Sequence, residues 1–95
     1  GWVTLRHGTA KAATRALEEG ELLRYRLELR KLDQQLDDVH SDIGERTIEL
    51  HERGEAADRI LSDSEVTRLM QQVRALQDDR TKLLLEMNDI TVEGQ

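Results

Sequence analysis

The sequence predicts an all-α fold, an antiparallel helical hairpin of the coiled-coil type, from three observations. The 95 residues contain 36% charged residues, 2% aromatic residues and no Pro, a composition typical of long helices. Apolar residues recur at heptad spacing in two stretches, and a single interruption around residues 54–62 separates them. A chain of this length forms one domain with a thin core.

The two stretches share one pattern, in which apolar residues lie seven apart and a second set follows three residues behind the first. Such side chains fall on one side of a helix, at positions a and d of a coiled coil. Only Arg46 and Arg80 interrupt the pattern with a charge. We call the apolar positions the seam and expect them to pack the two helices together: Leu22, Tyr25, Leu29, Leu32, Leu36, Val39, Ile43, Leu50, Val66, Leu69, Val73, Leu76, Leu83, Met87 and Ile90.

Gly54 is the predicted end of the first helix, because glycine readily adopts the left-handed conformation in which helices often finish. The connection that follows is short, and a short link favours antiparallel neighbours. The predicted boundaries are about 17–53 for helix 1, 54–62 for the turn and about 63–91 for helix 2. One continuous helical rod is the alternative.

Ser62 is the predicted cap of the second helix. It precedes Glu65 by three residues, which matches a capping box in which each side chain bonds the other residue's amide. Leu61 and Val66 match a hydrophobic staple around this cap. Helix 2 is therefore expected to begin directly after Ser62.

Residues 1–16 differ in charge from the rest of the chain. They contain three basic residues and no acid, whereas residues 17–95 hold the other 11 of the 14 basic residues and all 20 acids, so the two parts carry +3 and −9. We expect this basic segment to be partly helical or disordered, with the first helix starting at Thr9 or Leu17. An acidic body argues against a nucleic-acid-binding protein. The basic segment, which includes Trp2, makes a peripheral membrane module the alternative function.

Apolar residues outside the seam lie mostly at the end of the hairpin remote from the turn. An exposed apolar region of this kind is typical of an interface. We therefore expect a scaffold or interaction module that acts through self-association, with a second hairpin completing a four-helix arrangement as a homodimer or larger assembly. Another protein is a second candidate partner, and a three-helix monomer with residues 1–20 folded back is the competing fold. The expected interface residues are Ala16, Gly20, Leu23, Leu27, Leu84 and Leu85.

The sequence offers little for catalysis or for metal binding. His40 and His51 are eleven residues apart, roughly 16 Å along a helix, too far to share a metal ion, and His7 stands alone near the start. The chain has no Cys, no Gly-rich phosphate loop and no nucleophile beside a His–acid pair. We expect no enzymatic activity, no cofactor and no metal. No apolar run approaches membrane-spanning length, so cytoplasmic residence is the default expectation, and the first residue, Gly rather than Met, leaves open an upstream portion.

The two seam arginines suggest a role in register. A charge at a seam position lowers stability and can fix the alignment of the helices, while a long stem lets the head group reach water. The expected partners are Glu45 and Glu49 for Arg46, and two neighbouring acids, Asp78 and Asp79, for Arg80. Simple tolerance of a charge at an open position is the alternative.

The stretch LLRYRLELRKLDQQLDDVHSDIGERTIELHERGE, residues 22–55, with the second heptad helix behind it, resembles small uncharacterised bacterial coiled-coil hairpin proteins. In some of these a basic, Lys/Ala-rich start precedes the hairpin and a cysteine zinc ribbon follows it. The resemblance implies the hairpin fold and a bacterial source. It implies no metal site here, because the chain lacks the cysteines.

Overall fold

The computed structural model describes the backbone of residues 2–93 and the side chains of residues 10–91. Over this range the chain forms three helices and no strand: α1 (Trp2–Glu52), α2 (Ala57–Leu61) and α3 (Ser64–Glu93). Helices α1 and α3 run antiparallel and pack along their length, which confirms the all-α fold and supports a hairpin. The molecule is very elongated, with principal extents of 80 × 15 × 14 Å.

The end of α1 is a Schellman motif built on Gly54. The amide of Gly54 donates to the carbonyl of His51 at 2.9 Å, and the amide of Glu55 donates to the carbonyl of Leu50 at 3.1 Å. Gly54 has a φ of +83°, a left-handed conformation that costs a residue with a Cβ atom energy. The predicted stop at Gly54 is therefore confirmed, and the chain is not a continuous rod.

The connection holds a short helix that the sequence did not predict. Helix α2 turns the side chain of Ile60 inward, where it is buried in one cluster with Leu50 and Val66. Leu61 instead remains 67% exposed, so the predicted staple between Leu61 and Val66 is wrong. Ile60 is the residue that covers the end of the seam at the turn.

The cap of α3 is Asp63 and not Ser62. The amide of Val66 donates to a carboxylate oxygen of Asp63 at 3.1 Å, and the amide of Thr67 donates to the Asp63 carbonyl at 2.9 Å. The hydroxyl of Ser62 is directed backward and donates to the carbonyl of Asp58, in α2, at 2.9 Å. Ser62 thus closes α2 while Asp63 opens α3. The predicted capping box does not form, because Ser62 is not the cap of α3, and the Glu65 carboxylate pairs with Arg68.

The seam packs as the heptads predict. All of its positions are buried or half-buried, although the chain exposes most of its other side chains. Only a minority of the described residues are buried: Leu36, Val39, Leu50, Ile60, Val66, Leu69 and Leu83. All of these except Ile60 belong to the seam. Two helices alone therefore cover the seam only in part.

Helix α1 continues well past the end of α3. Leu50 and Val66 meet beside the turn, and α3 has 27 further residues from Val66 to Glu93, so α3 ends beside roughly residue 23 of α1. The preceding part of α1 is an unbroken helix from Trp2, roughly 30 Å long. Thr9 and Leu17 consequently lie inside α1 and start no helix, and residues 1–20 do not fold back as a third helix over the described range.

Candidate interaction surface at the open end of the hairpin

We call the end of the hairpin at the turn the tip, and the end where α3 finishes and α1 continues the open end. At the open end four leucines are exposed. The side chains of Leu23 and Leu27, on α1, are each 57% exposed, and those of Leu84 and Leu85, on α3, are 39% and 60% exposed. Single exposed leucines are ordinary on protein surfaces, but here they lie within one half of one short hairpin.

The α1 part of this surface is a continuous face. Ala16 and Gly20 lie on it beside the leucines, both are exposed, and a Cβ atom built at Gly20 meets no atom within 4 Å. Together with Ala13 these residues follow a 3-4-3-4 spacing on the side of α1 that faces away from α3. We call this face the outer stripe: Ala13, Ala16, Gly20, Leu23 and Leu27.

The predicted interface residues thus divide into two patches within the hairpin. Leu84 lies next to the seam, and Leu85 lies further round α3. Neither belongs to the outer stripe, which is on the far side of α1. Leu17, beside Ala16, is a further exposed leucine of this surface, 73% exposed, and its position three residues before Gly20 is the sequence feature that indicates it.

The tip is fixed in place by an ion pair that joins α1 to the start of α3. Both Nε and one terminal nitrogen of Arg46 donate to the two carboxylate oxygens of Asp63, each at 3.1 Å. The other terminal nitrogen donates to Glu49 at 3.3 Å. The guanidinium of Arg46 and the amide of Val66 both lower the pKa of Asp63, and Asp63 in turn raises the pKa of Arg46.

A second ion pair crosses the hairpin at the other seam arginine. Nε of Arg80 donates to a carboxylate oxygen of Asp33, on α1, at 2.7 Å. The expected partners of Arg80, Asp78 and Asp79, do not bind it, and of the two expected for Arg46 only Glu49 does. Each arginine thus pairs with an acid that is distant in sequence, which sequence neighbours could not indicate. The register role of these arginines stays a prediction.

The described side chains form no arrangement that suggests chemistry. His40 and His51 are exposed, and no group of three His, Asp or Glu side chains within the described range is placed to hold a metal ion. A shallow groove near the open end is lined by Glu28, Asp79, Glu86 and other side chains, and it is open to solvent. His7 and Trp2 lie outside the described side chains.

None of the helices, over the residues described, combines the length and the apolar character that crossing a bilayer requires. Comparisons with protein-family models, with curated proteins and with solved structures found no match to this chain. The resemblance to bacterial coiled-coil hairpin proteins therefore stays a prediction.

Proposed function

We propose that this protein is a non-enzymatic coiled-coil interaction module that self-associates through its open end and serves as a scaffold or assembly unit. The observation that supports this most strongly is the exposure of Leu23, Leu27, Leu84 and Leu85 at one end of the hairpin. Burying a leucine stabilises an association by roughly 1.5–3 kcal/mol. Two hairpins meeting at their open ends through α1 would cover Leu23 and Leu27 and bring four long helices together.

The contrast with the tip supports the choice of the open end. At the tip the Leu50–Ile60–Val66 cluster is already covered within the chain. At the open end α1 extends past α3, and no other element of the described chain lies beside it, so a second chain would have to cover this part of α1. A peripheral membrane module, with the basic residues 1–16 on a lipid surface, stays the competing proposal, since Lys11 and Arg15 are exposed on this extension.

Sedimentation equilibrium at tens of micromolar tests the proposal. We expect a mass of two chains or more for the natural sequence, and a single-chain mass for Leu23→Ser combined with Leu27→Ser. Ile48→Ser is the matched control, because Ile48 is on α1, is 58% exposed, and lies near the tip. A single-chain mass for the natural sequence would overturn the proposal.

Flotation with anionic liposomes tests the competing class. If the protein floats with the liposomes, and deletion of residues 1–16 abolishes this, the membrane module is favoured. If the protein does not float but sediments as a dimer, the interaction module is favoured. The deletion leaves the seam intact, so circular dichroism should show that the hairpin still folds.

A further inference from the structure

We infer, resting on the self-association proposed above, that the outer stripe of α1 pairs with the same stripe of a second copy, antiparallel, with the two-fold axis between residues 21 and 22. The exposure, the residue sizes and the charges of the described part of α1 support this arrangement. It specifies which face meets which, in what direction and in what register.

The spacing of the outer stripe is that of a coiled-coil core. Ala13, Gly20 and Leu27 lie seven apart, and Ala16 and Leu23 follow the first two by three residues. These are the intervals of a and d positions in a coiled coil. The outer stripe and the seam are therefore two separate faces of the same helix, on opposite sides of α1. A helix can therefore carry two such faces, one toward α3 and one toward a second chain.

The sizes of the side chains favour one antiparallel register. With the axis between residues 21 and 22, Gly20 lies opposite the partner's Leu23, and Ala16 lies opposite the partner's Leu27. Symmetry repeats both pairs, so four successive layers each combine a small residue with a large one. Alternating small and large side chains across an interface lets the layers interdigitate without voids. A Cβ atom at Gly20 would have no described side chain within 4 Å, so this space is open to the partner's leucine.

Charge selects the same register. Glu19 and Arg26 each directly precede a stripe residue, Gly20 and Leu27, so both flank the stripe on the same side. With the axis between residues 21 and 22, each Glu19 lies beside the partner's Arg26, which gives two ion pairs per dimer. Flanking charges of this kind set the partner and the orientation in coiled coils. Both side chains are exposed, and neither forms an ion pair with another described side chain.

The two neighbouring antiparallel registers are disfavoured by the same residues. A shift of seven residues in one direction places Leu23 opposite the partner's Leu27 and Arg26 beside the partner's Arg26, where the like charges repel. A shift of seven residues in the other direction places Ala16 opposite the partner's Gly20, two small side chains that leave a gap. It also places Glu19 beside the partner's Glu19, where the like charges repel. The combination of better packing and opposite charges therefore points to the first register.

The extension of α1 fits this axis. Because α3 ends beside roughly residue 23 of α1, the axis lies at the point where the two-helix part of the molecule ends. The extension of each copy then runs along α1 of its partner, and each side of the axis has three helices in cross-section: α1, α3 and the partner's α1. Four long helices are joined in this way through α1 alone, and Leu84 and Leu85 on α3 take no part in the contact.

Charge reversal tests the pairing directly. Glu19→Arg and Arg26→Glu each turn two attractions into two repulsions, and we expect each variant alone to dissociate about tenfold more readily. An equimolar mixture should form a heterodimer as tight as the natural dimer, because the reversed charges then face opposite ones. Sedimentation equilibrium gives the dissociation constants, and energy transfer between differently labelled variants detects the heterodimer. The double variant Glu19→Arg/Arg26→Glu should also recover the natural affinity.

A size variant tests the packing independently. Gly20→Leu should fold at least as well as the natural chain, since the site is open and leucine favours helix over glycine, but it should dissociate at least tenfold more readily because two leucines would meet in one layer. Gly44→Leu is the matched control, because Gly44 is also inside α1 with no atom within 4 Å of its Cβ position. It should leave association unchanged.

The outcomes separate this inference from the function on which it rests. If the natural chain dimerises but neither the charge variants nor Gly20→Leu changes its affinity, the register is overturned and self-association stands. If each charge variant weakens the dimer but their mixture does not recover it, the register is also overturned. A natural chain that is monomeric, or that binds anionic vesicles without dimerising, overturns both proposals. Recovery in the mixture, with loss in Gly20→Leu, supports the inference.

Discussion

The two ends of the hairpin solve the same problem differently. Two helices bury seam residues such as Leu36 and Leu83 between them, but apolar residues beyond the reach of the facing helix need a third element to cover them. At the tip α2 supplies it, since Ile60 closes over Leu50 and Val66. At the open end nothing in the described chain does so, and the leucines there stay exposed. The tip therefore contributes to the stability of the single chain, and the exposed leucines support the proposal that the open end is where a second chain binds.

Truncating one leucine at each end gives the largest expected difference. Leu50→Ala removes a side chain from the buried apolar cluster at the tip, and such a change costs about 2–5 kcal/mol in a well-packed core. We expect the lower part of that range here, because the core is thin. Thermal unfolding followed by circular dichroism at low protein concentration measures the loss.

Leu23→Ala is the matched change at the open end. Leu23 is 57% exposed, so the same truncation should change the stability of the monomer by less than about 0.5 kcal/mol while weakening the dimer. Equal destabilisation of the monomer by the two variants would contradict the contrast between the ends.

Two glycines of the hairpin should respond to the same substitution with opposite sign. Gly54→Ala places a Cβ atom at a φ of +83°, which costs about 1–2 kcal/mol. Gly44→Ala lies inside α1 with open space around it, and replacing glycine by alanine there should stabilise by about 0.5–1 kcal/mol. Urea unfolding of both variants measures the two changes, and a stabilising Gly54→Ala would show that the Schellman motif at the tip is dispensable.

Most of the fold follows from the sequence because its main signals are local. Heptad spacing fixes which face of each helix is buried, and Gly54 fixes where α1 ends. The exposed leucines of the open end follow from the same count, since they are the apolar residues that the seam does not use. The chain upstream of the seam was harder to interpret, because Arg15 and Glu18 interrupt the apolar pattern although the helix continues through them.

The details of the tip could not be predicted because they depend on distant residues. Three consecutive residues are of types that favour an N-cap: Ser62, Asp63 and Ser64. Contacts with other parts of the fold determine which of them caps α3. The carboxylate of Asp63 accepts hydrogen bonds from Arg46, which is 17 residues away in sequence. The hydroxyl of Ser62 donates to the carbonyl of Asp58 in α2. The burial of Ile60 could not be predicted for a related reason, because a single isoleucine in a connection shows no periodicity.

Acid should weaken the tip through Asp63. Arg46 and the Val66 amide lower the pKa of this carboxyl below its ordinary value of 3.8, so its contribution is fully present above that value and is lost as the pH falls through the lower, folded-state pKa. The stability of the natural chain should therefore decline below about pH 4. Thermal unfolding from pH 7 to pH 2 measures this, although Glu65, whose pKa Arg68 also lowers, contributes in the same range.

Asp63→Asn isolates the contribution of the tip carboxyl. Asparagine keeps an acceptor for the cap but does not titrate, and Glu65 is present in both proteins. We expect the variant to be less stable than the natural chain at pH 7, and the difference to vanish toward pH 2. A difference that stays constant across this range would mean that the charge of Asp63 does not contribute to the tip.

The smallest expected effect concerns the seam between the two ends, at Arg80. Its ion pair with Asp33 joins side chains that are 39% and 48% exposed, and pairs this exposed contribute about 0–1 kcal/mol. Arg80→Leu should therefore raise the melting temperature by a few degrees, because an apolar side chain at this seam position gains more from partial burial than the ion pair provides. Asp33→Ala, which removes the pair and leaves Arg80 in place, should change stability by less than about 0.5 kcal/mol. If Arg80→Leu also alters the mass in sedimentation equilibrium, the arginine fixes alignment at the expense of stability. If the mass is unchanged, the seam tolerates the charge, and Arg80 has no role in alignment.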